Sequence, residues 1–297
     1  MANTIAGVNL AQIAMDSIPA LQSSFLPLRA FTTDFSTDVA DRGASVTTRY
    51  PTIPTAQDLS SGFSATDVTM TAITVTLDTY YGFVYKFTDL ERSKSSIDLG
   101  ALFIEPAANA LAVKVFGDIW NLVNDTNYPA ATATELTVTA ANFDRDDVAD
   151  IAAQLTTNKV VKTGRSLILA PTYYAALAKD LNSVDAAGQS LTIGENVIPR
   201  LHGFDVYESQ ECDGNSVNCT GLALHRSNLL VAARNVDSTG ASQAGVEVST
   251  IVLPDLGLPV QFRRWYSPSD GALFYSCGVL YGVKYGLPNA GLKIVSA

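Results

Sequence analysis

Apolar and polar positions alternate from Thr74 to Leu77 and again from Tyr81 to Thr88, where Tyr81, Phe83, Tyr85 and Phe87 share one face and Gly82, Val84, Lys86 and Thr88 the other. A period of two predicts two strands. After Ser95, a helix cap with Asp98 three residues on, the period lengthens. Ile104, Ala108, Leu111, Val115, Ile119 and Leu122 now form one stripe, and Ala112, Phe116, Trp120 and Val123 a second beside it. This predicts a helix from Pro106 to Val123, about 27 Å long, which is enough to cross a domain. Pro106 either opens this helix or kinks a longer one. The polar arc of Lys114, Asp118 and Asn121 is expected to face away from the core.

On either side of this spine the pattern differs. Leu10, Ile13, Ala14, Ile18 and Leu21 have helical spacing after Asn9, and Pro19 ends or bends that helix. Residues 23–72 are rich in Ser, Thr and Asp, carry prolines at 27, 51 and 54, and alternate only briefly, at 45–50 and 66–73. So long a stretch with so little apolar content is expected to build no core of its own and to lie on something else. Arg49, Tyr50, Pro51, Ile53 and Pro54 then suit an extended arm touching a neighbour, against the plainer reading of a solvated loop.

Beyond a turn-rich linker at 124–134, helices and strands alternate: a helix at 143–155, strand 166–170, helix 172–181, strand 204–209, strand 221–224 and a short helix at 228–233. From Gly245 the texture is strand only, at 246–253, 258–266 and 272–285, with turns at 254–257 and 267–271.

Composition narrows the function classes. The 297 residues are 47% hydrophobic and 16% charged, with a net charge of −10. The acidic balance argues against gripping nucleic acid through its phosphates, which takes clustered Lys and Arg. No stretch approaches 18 uninterrupted apolar residues, so no membrane helix is expected. The N-terminus lacks the basic start of a signal peptide, which points to a protein kept in a cytoplasm.

Candidate chemistry is sparse. No nucleophile elbow, P-loop, dinucleotide fingerprint or zinc-protease helix is present. His202 and His225 read as turn residues, since no nucleophile with a partner acid accompanies them. Cys212 and Cys219 bracket a polar hexapeptide and are either a hairpin disulfide or two free thiols, while Cys277 reads as a small buried hydrophobe. Asp144, Asp146, Asp147 and Asp150 fit the first turns of a helix through its dipole better than a cation site. Arg263 and Arg264, beside Trp265 and Tyr266, are the densest basic-aromatic spot. It is too small for a nucleic-acid groove and suits a subunit contact or a strand's exposed face.

The order of these parts resembles the major capsid protein of tailed double-stranded-DNA bacteriophages, the Hong Kong 97 phage fold. Four places carry the likeness: residues 75–91 leading into 103–123; SLILAPTYYAAL at 166–177; IPRLHGFDVYES at 198–209; and LYGVKYGLPNAGLKI at 280–294. The resemblance implies an α+β fold with an N-terminal arm at 1–34 and an extended β-hairpin loop at 35–92. A peripheral domain with the spine helix and long strands would span 93–135 and 245–285, and an axial α/β domain 136–244 and 286–297. It further implies a structural, non-enzymatic subunit needing no cofactor or metal, assembling in the host cytoplasm into hexamers and pentamers of an icosahedral virion shell around packaged DNA. Leu10, Ile13, Arg49, Tyr50, Pro51, Ile53, Pro54, Asp58, Arg263 and Arg264 would then meet neighbouring subunits. The arm begins almost at Met1, so a separate scaffolding protein, or none, is expected, with a portal and cement proteins as further partners. A nanocompartment shell of the same fold and an enzyme of unrecognised type are the other readings.

Overall fold

The computed structural model describes residues 25–31, 45–51, 56, 58, 60, 62–63, 67–94, 104–130, 134–184, 198, 200–213, 218–243, 245–253 and 258–297. The first described element is a 3-10 turn, Leu26–Ala30. Strands β1 (Ser45–Pro51) and β2 (Met70–Thr76) form an antiparallel hairpin, with Ser45 opposite Thr76 and Pro51 opposite Met70. Two residues later β3 (Thr79–Thr88) begins, followed by the short helix α1 (Asp89–Lys94) and the spine helix α2 (Ile104–Trp120).

One five-stranded sheet contains β3, β11 (Ala272–Tyr285), β10 (Pro259–Ser267) and β9 (Glu247–Val252) in that order, all antiparallel, with β8 (Leu229–Arg234) paired to the far half of β11. The other has the order β4 (Glu135–Thr137), β12 (Gly291–Val295), β7 (Cys219–His225), β5 (Arg165–Leu169), β6 (Phe204–Glu208), with parallel pairs at both edges. Helices α3 (Arg145–Thr157) and α4 (Pro171–Val184) pack on this second sheet, and α5 (Thr239–Gln243) lies beside β9.

The two apolar stripes of the spine are the centre of the core. Leu111, Ala112, Val115, Phe116, Ile119, Trp120 and Val123 are all buried, against Val260, Phe262, Val279 and Tyr281 of the first sheet and Leu222 and Leu224 of the second. The helix starts two residues earlier than the pattern implied. Pro106 sits in its first turn, where backbone N–H groups have no intrahelical acceptor in any case. At the other end Leu122 and Val123 bond three residues back, to Ile119 and Trp120, so the stripe outlasts the regular helix.

Three expectations are corrected. Residues 25–31 belong to this subunit's own core: Phe25, Leu28, Ala30 and Phe31 are buried on the spine, with the Phe25 and Phe116 rings 6.2 Å apart. Low average apolarity across 23–72 concealed that local cluster. The run 228–233 is strand β8, because a short continuous apolar segment has no period to distinguish helix from strand, and pairing with β11 decides it. The arc of Lys114 and Asp118 turns toward the sheet. Lys114 Nζ lies 2.6 Å from Asp118, the Tyr281 hydroxyl donates to Asp118 at 2.6 Å, and the Lys114 ammonium sits 4.5 Å from the centre of the Tyr81 ring. Asn121 is exposed as expected.

A second ionic joint closes the spine onto the C-terminal strand. Lys293 of β12 is 1% exposed and pairs with Glu135, its register partner on β4, at 2.8 Å, and with Asp125 just beyond the spine. Beside it the Tyr128 hydroxyl donates to Asn228 Oδ1, and Asn228 Nδ2 to the Leu287 carbonyl.

Candidate assembly surfaces

Among the described residues, the hairpin is anchored at its base. Val46, Val75 and Leu77 are buried with Leu230 and Ala232 of β8, forming a small core of their own. The anchor depends on a close approach at Gly282 of β11. A Cβ there would lie 2.8 Å from the Thr76 carbonyl carbon and 3.3 Å from Val75 Cγ1, so only glycine lets β2 cross. Toward the tip burial disappears: Phe63 is 90% exposed, Val68 71% and Met70 62%. Between Tyr50 and Tyr85 the chain carries Asp58, Asp67 and Asp78 and neither Lys nor Arg. Ser60 hydrogen-bonds the Asp58 carboxylate and holds it below the usual carboxylate range. Arg49 and Pro51 are exposed on β1 and Tyr50 is half-buried, while Leu10, Ile13, Ile53 and Pro54 lie outside the described residues.

The second surface is a cleft of about 430 Å³ lined by residues of the first sheet and of the α5–β9 segment. Register puts Val84, Ser276 and Arg263 side by side on one sheet face, with Gly82 and Gly278 the next pair along, where the Tyr80 ring lies close over Gly278. Tyr80, Val84, Trp265, Ala241 and Val246 supply apolar walls, and Trp265 stacks on Phe274 at 5.2 Å and 6°. Arg263 is held in place by Gln261 Oε1, accepting at 2.7 and 3.0 Å, while Gln261 Nε2 donates to the Val236 carbonyl at 2.9 Å. Among the described residues no carboxylate pairs with Arg263. Arg264 points from the opposite face and is engaged by Glu247 at 2.5 Å. The expected basic spot is therefore split across the sheet by the period of two, and only Arg263 reaches the cleft.

A family model described as phage capsid protein matches residues 70–290. The chain belongs to this family. Its Hong Kong 97 phage-type α+β fold is shared with solved structures: that of Mycobacterium phage Che8 (18% identity, 89% of each chain covered, TM-score 0.61), the capsid of the cyanophage P-SCSP1u (12%, 90% of this chain and 86% of that one, 0.61), and the capsid of Myoviridae phage XM1 (10%, 92% of each, 0.56). No curated protein sequence matches. The chain is thus a structural protein of a phage capsid, a conclusion carried by the family match and the fold together.

The acidic cluster and the two histidines of the capsid protein sit in structural positions. Asp144 caps α3, accepting from the Asp146 and Asp147 amides at 2.9 and 3.1 Å, and Asp147 answers by accepting from the Asp144 amide at 3.2 Å. Burial pushes the Asp147 carboxyl up. His202 occupies a left-handed turn with φ 46°. His225 Nδ1 lies 2.7 Å from Ser227 Oγ, and burial followed by the nearby Arg165 charge keeps its ring below the ordinary range. Cys212, Cys219 and Cys277 are buried and form no disulfide, and Cys212 and Cys219 are core residues beneath the spine. Burial pushes the Cys277 thiol far up, so it is a poor nucleophile.

The sequence reading did not single out Phe63, Val68, Met70 and Val84, which stand as exposed apolar side chains. Their signal was present as isolated apolar residues in a polar stretch and on the polar face of a strand.

Proposed function

We propose that this capsid protein self-assembles into hexamers and pentamers of an icosahedral shell, built in the host cytoplasm, that encloses packaged double-stranded DNA and catalyses no reaction. Its hairpin, within residues 35–92, lies over a neighbouring subunit together with the N-terminal arm at 1–34. The segments 93–135 and 245–285 form the peripheral domain, and 136–244 with 286–297 the axial one. A separate scaffolding protein, a portal and cement proteins complete the particle. The observation that carries this reading is the exposed apolar end of the hairpin. Three large apolar side chains that no core of the subunit covers need a protein partner. The net charge of −10 supports DNA enclosure without adhesion to the wall.

Deleting residues 52–69 tests it. The base of the hairpin, β8 and both sheets remain, so the subunit is expected to fold with near-native circular dichroism and to form no stable shells. Normal shells from the deletion variant contradict the role given to the hairpin.

A further inference from the structure

One chain carries an apolar, acidic projection and an apolar, basic socket that do not meet. Phe63 is 90% exposed, flanked by Asp58 and Asp67. The cleft at Val84, Trp265 and Arg263 stands open, and Val84 is 60% exposed. A cavity of about 150 Å³ accepts a benzene ring. The 430 Å³ of this cleft therefore takes a phenylalanine side chain with adjoining residues. Arg263, positioned by Gln261 and paired with no carboxylate among the described residues, faces the same cleft and matches an acidic guest.

We propose that Phe63 of one copy docks into the cleft formed by Tyr80, Val84, Trp265 and Arg263 of a second copy, with Asp58 or Asp67 opposite Arg263. This rests on the assembly reading above and names the surface on which the hairpin lands. The two patches are different parts of the same chain, so the contact is heterologous. A repeated heterologous contact closes into rings when the rotation allows, which is the geometry a hexamer or pentamer needs. An aromatic side chain in an apolar pocket with a charged partner at the rim is also the composition of an interface hot spot.

The test combines a cross-link with paired substitutions. All three native cysteines are buried, so Phe63→Cys with Val84→Cys introduces the accessible thiols. Oxidised shells of the double variant are expected to give a ladder of disulfide-linked subunits on non-reducing gels, and shells of either single variant none. Phe63→Ala should raise the critical concentration for assembly about tenfold or more, the loss of a hot-spot anchor, while Phe63→Leu stays near wild type. Val84→Glu should impair assembly more than Val84→Lys, because the guest is acidic, with urea midpoints of both subunits unchanged. Shells that form without a ladder, or a Phe63→Ala variant with the wild-type critical concentration, overturn the docking. Equal effects of Val84→Glu and Val84→Lys overturn the charge pairing. A wild-type chain that forms no shells at all overturns the assembly reading itself.

Discussion

Replacing Gly282 by alanine adds one methyl group at the point where the hairpin crosses the long strand β11. The new Cβ would meet the Thr76 carbonyl oxygen well inside contact distance and lie 2.8 Å from the carbonyl carbon. Carbon pairs prefer about 3.5–4.0 Å, so the base of β2 must retreat by about 1 Å. Gly282 pairs with Ala232 on β8, and both β8 and β2 contribute to the small core around Val46, Val75, Leu77 and Leu230. The retreat therefore opens that core. Overpacking against a rigid obstacle costs about 1–3 kcal/mol, and backbone gives less readily than a side chain, so about 2 kcal/mol or more is expected. At a urea slope of about 3 kcal/mol/M that lowers the unfolding midpoint by about 0.7 M. The displaced hairpin should also project at a different angle, so shell yield should fall further than stability alone explains. Gly240→Ala is the control, since a Cβ there has nothing within 4 Å. If Gly282→Ala and Gly240→Ala match in urea midpoint and in shell yield, the claim that glycine sets the hairpin's seat is wrong.

Gly117 lies in the middle of the spine helix with nothing within 4 Å of an added Cβ, so Gly117→Ala should stabilise the isolated subunit by about 0.5–1 kcal/mol in urea melts. Loss of shells in that more stable variant would mark this helix face as a contact surface. Lys293→Met should cost about 3 kcal/mol, because it leaves the largely buried Glu135 carboxylate without its cation. Lys293 itself is held above its ordinary range: burial pulls it down, and the hydrogen bonds and charges of Asp125 and Glu135 outweigh that. A raised folded-state pKa gives stability that is complete below the ordinary lysine value of 10.5 and lost as pH rises through the folded one. Wild type should therefore lose stability in alkaline melts by a component that Lys293→Met lacks.

Much of the subunit's own architecture was legible in the chain because burial leaves a period. The spine declared itself through two stripes, every described member of which is buried or half-buried, and strands β3, β9, β10 and β11 through alternation and turn residues. Where burial is complete the period vanishes: Leu229–Arg234 read as a helix because an unbroken apolar run says only that a segment is inside. Residues 25–31 were hidden by averaging over a long polar stretch. The contact surfaces were the least legible part. Arg263 and Arg264 are adjacent in sequence and on opposite faces of a strand, and the cleft proposed to receive Phe63 belongs to another copy of the chain. No pattern along one chain encodes which of its patches meets which in another copy.

The central claim is that this chain closes a shell. Electron microscopy of the purified protein tests it most directly. The account predicts closed icosahedral particles made of six- and five-membered rings, with the hairpin of each subunit lying on its neighbour. A soluble monomer or dimer that persists under every assembly condition, with the wild-type fold intact by circular dichroism, would contradict it.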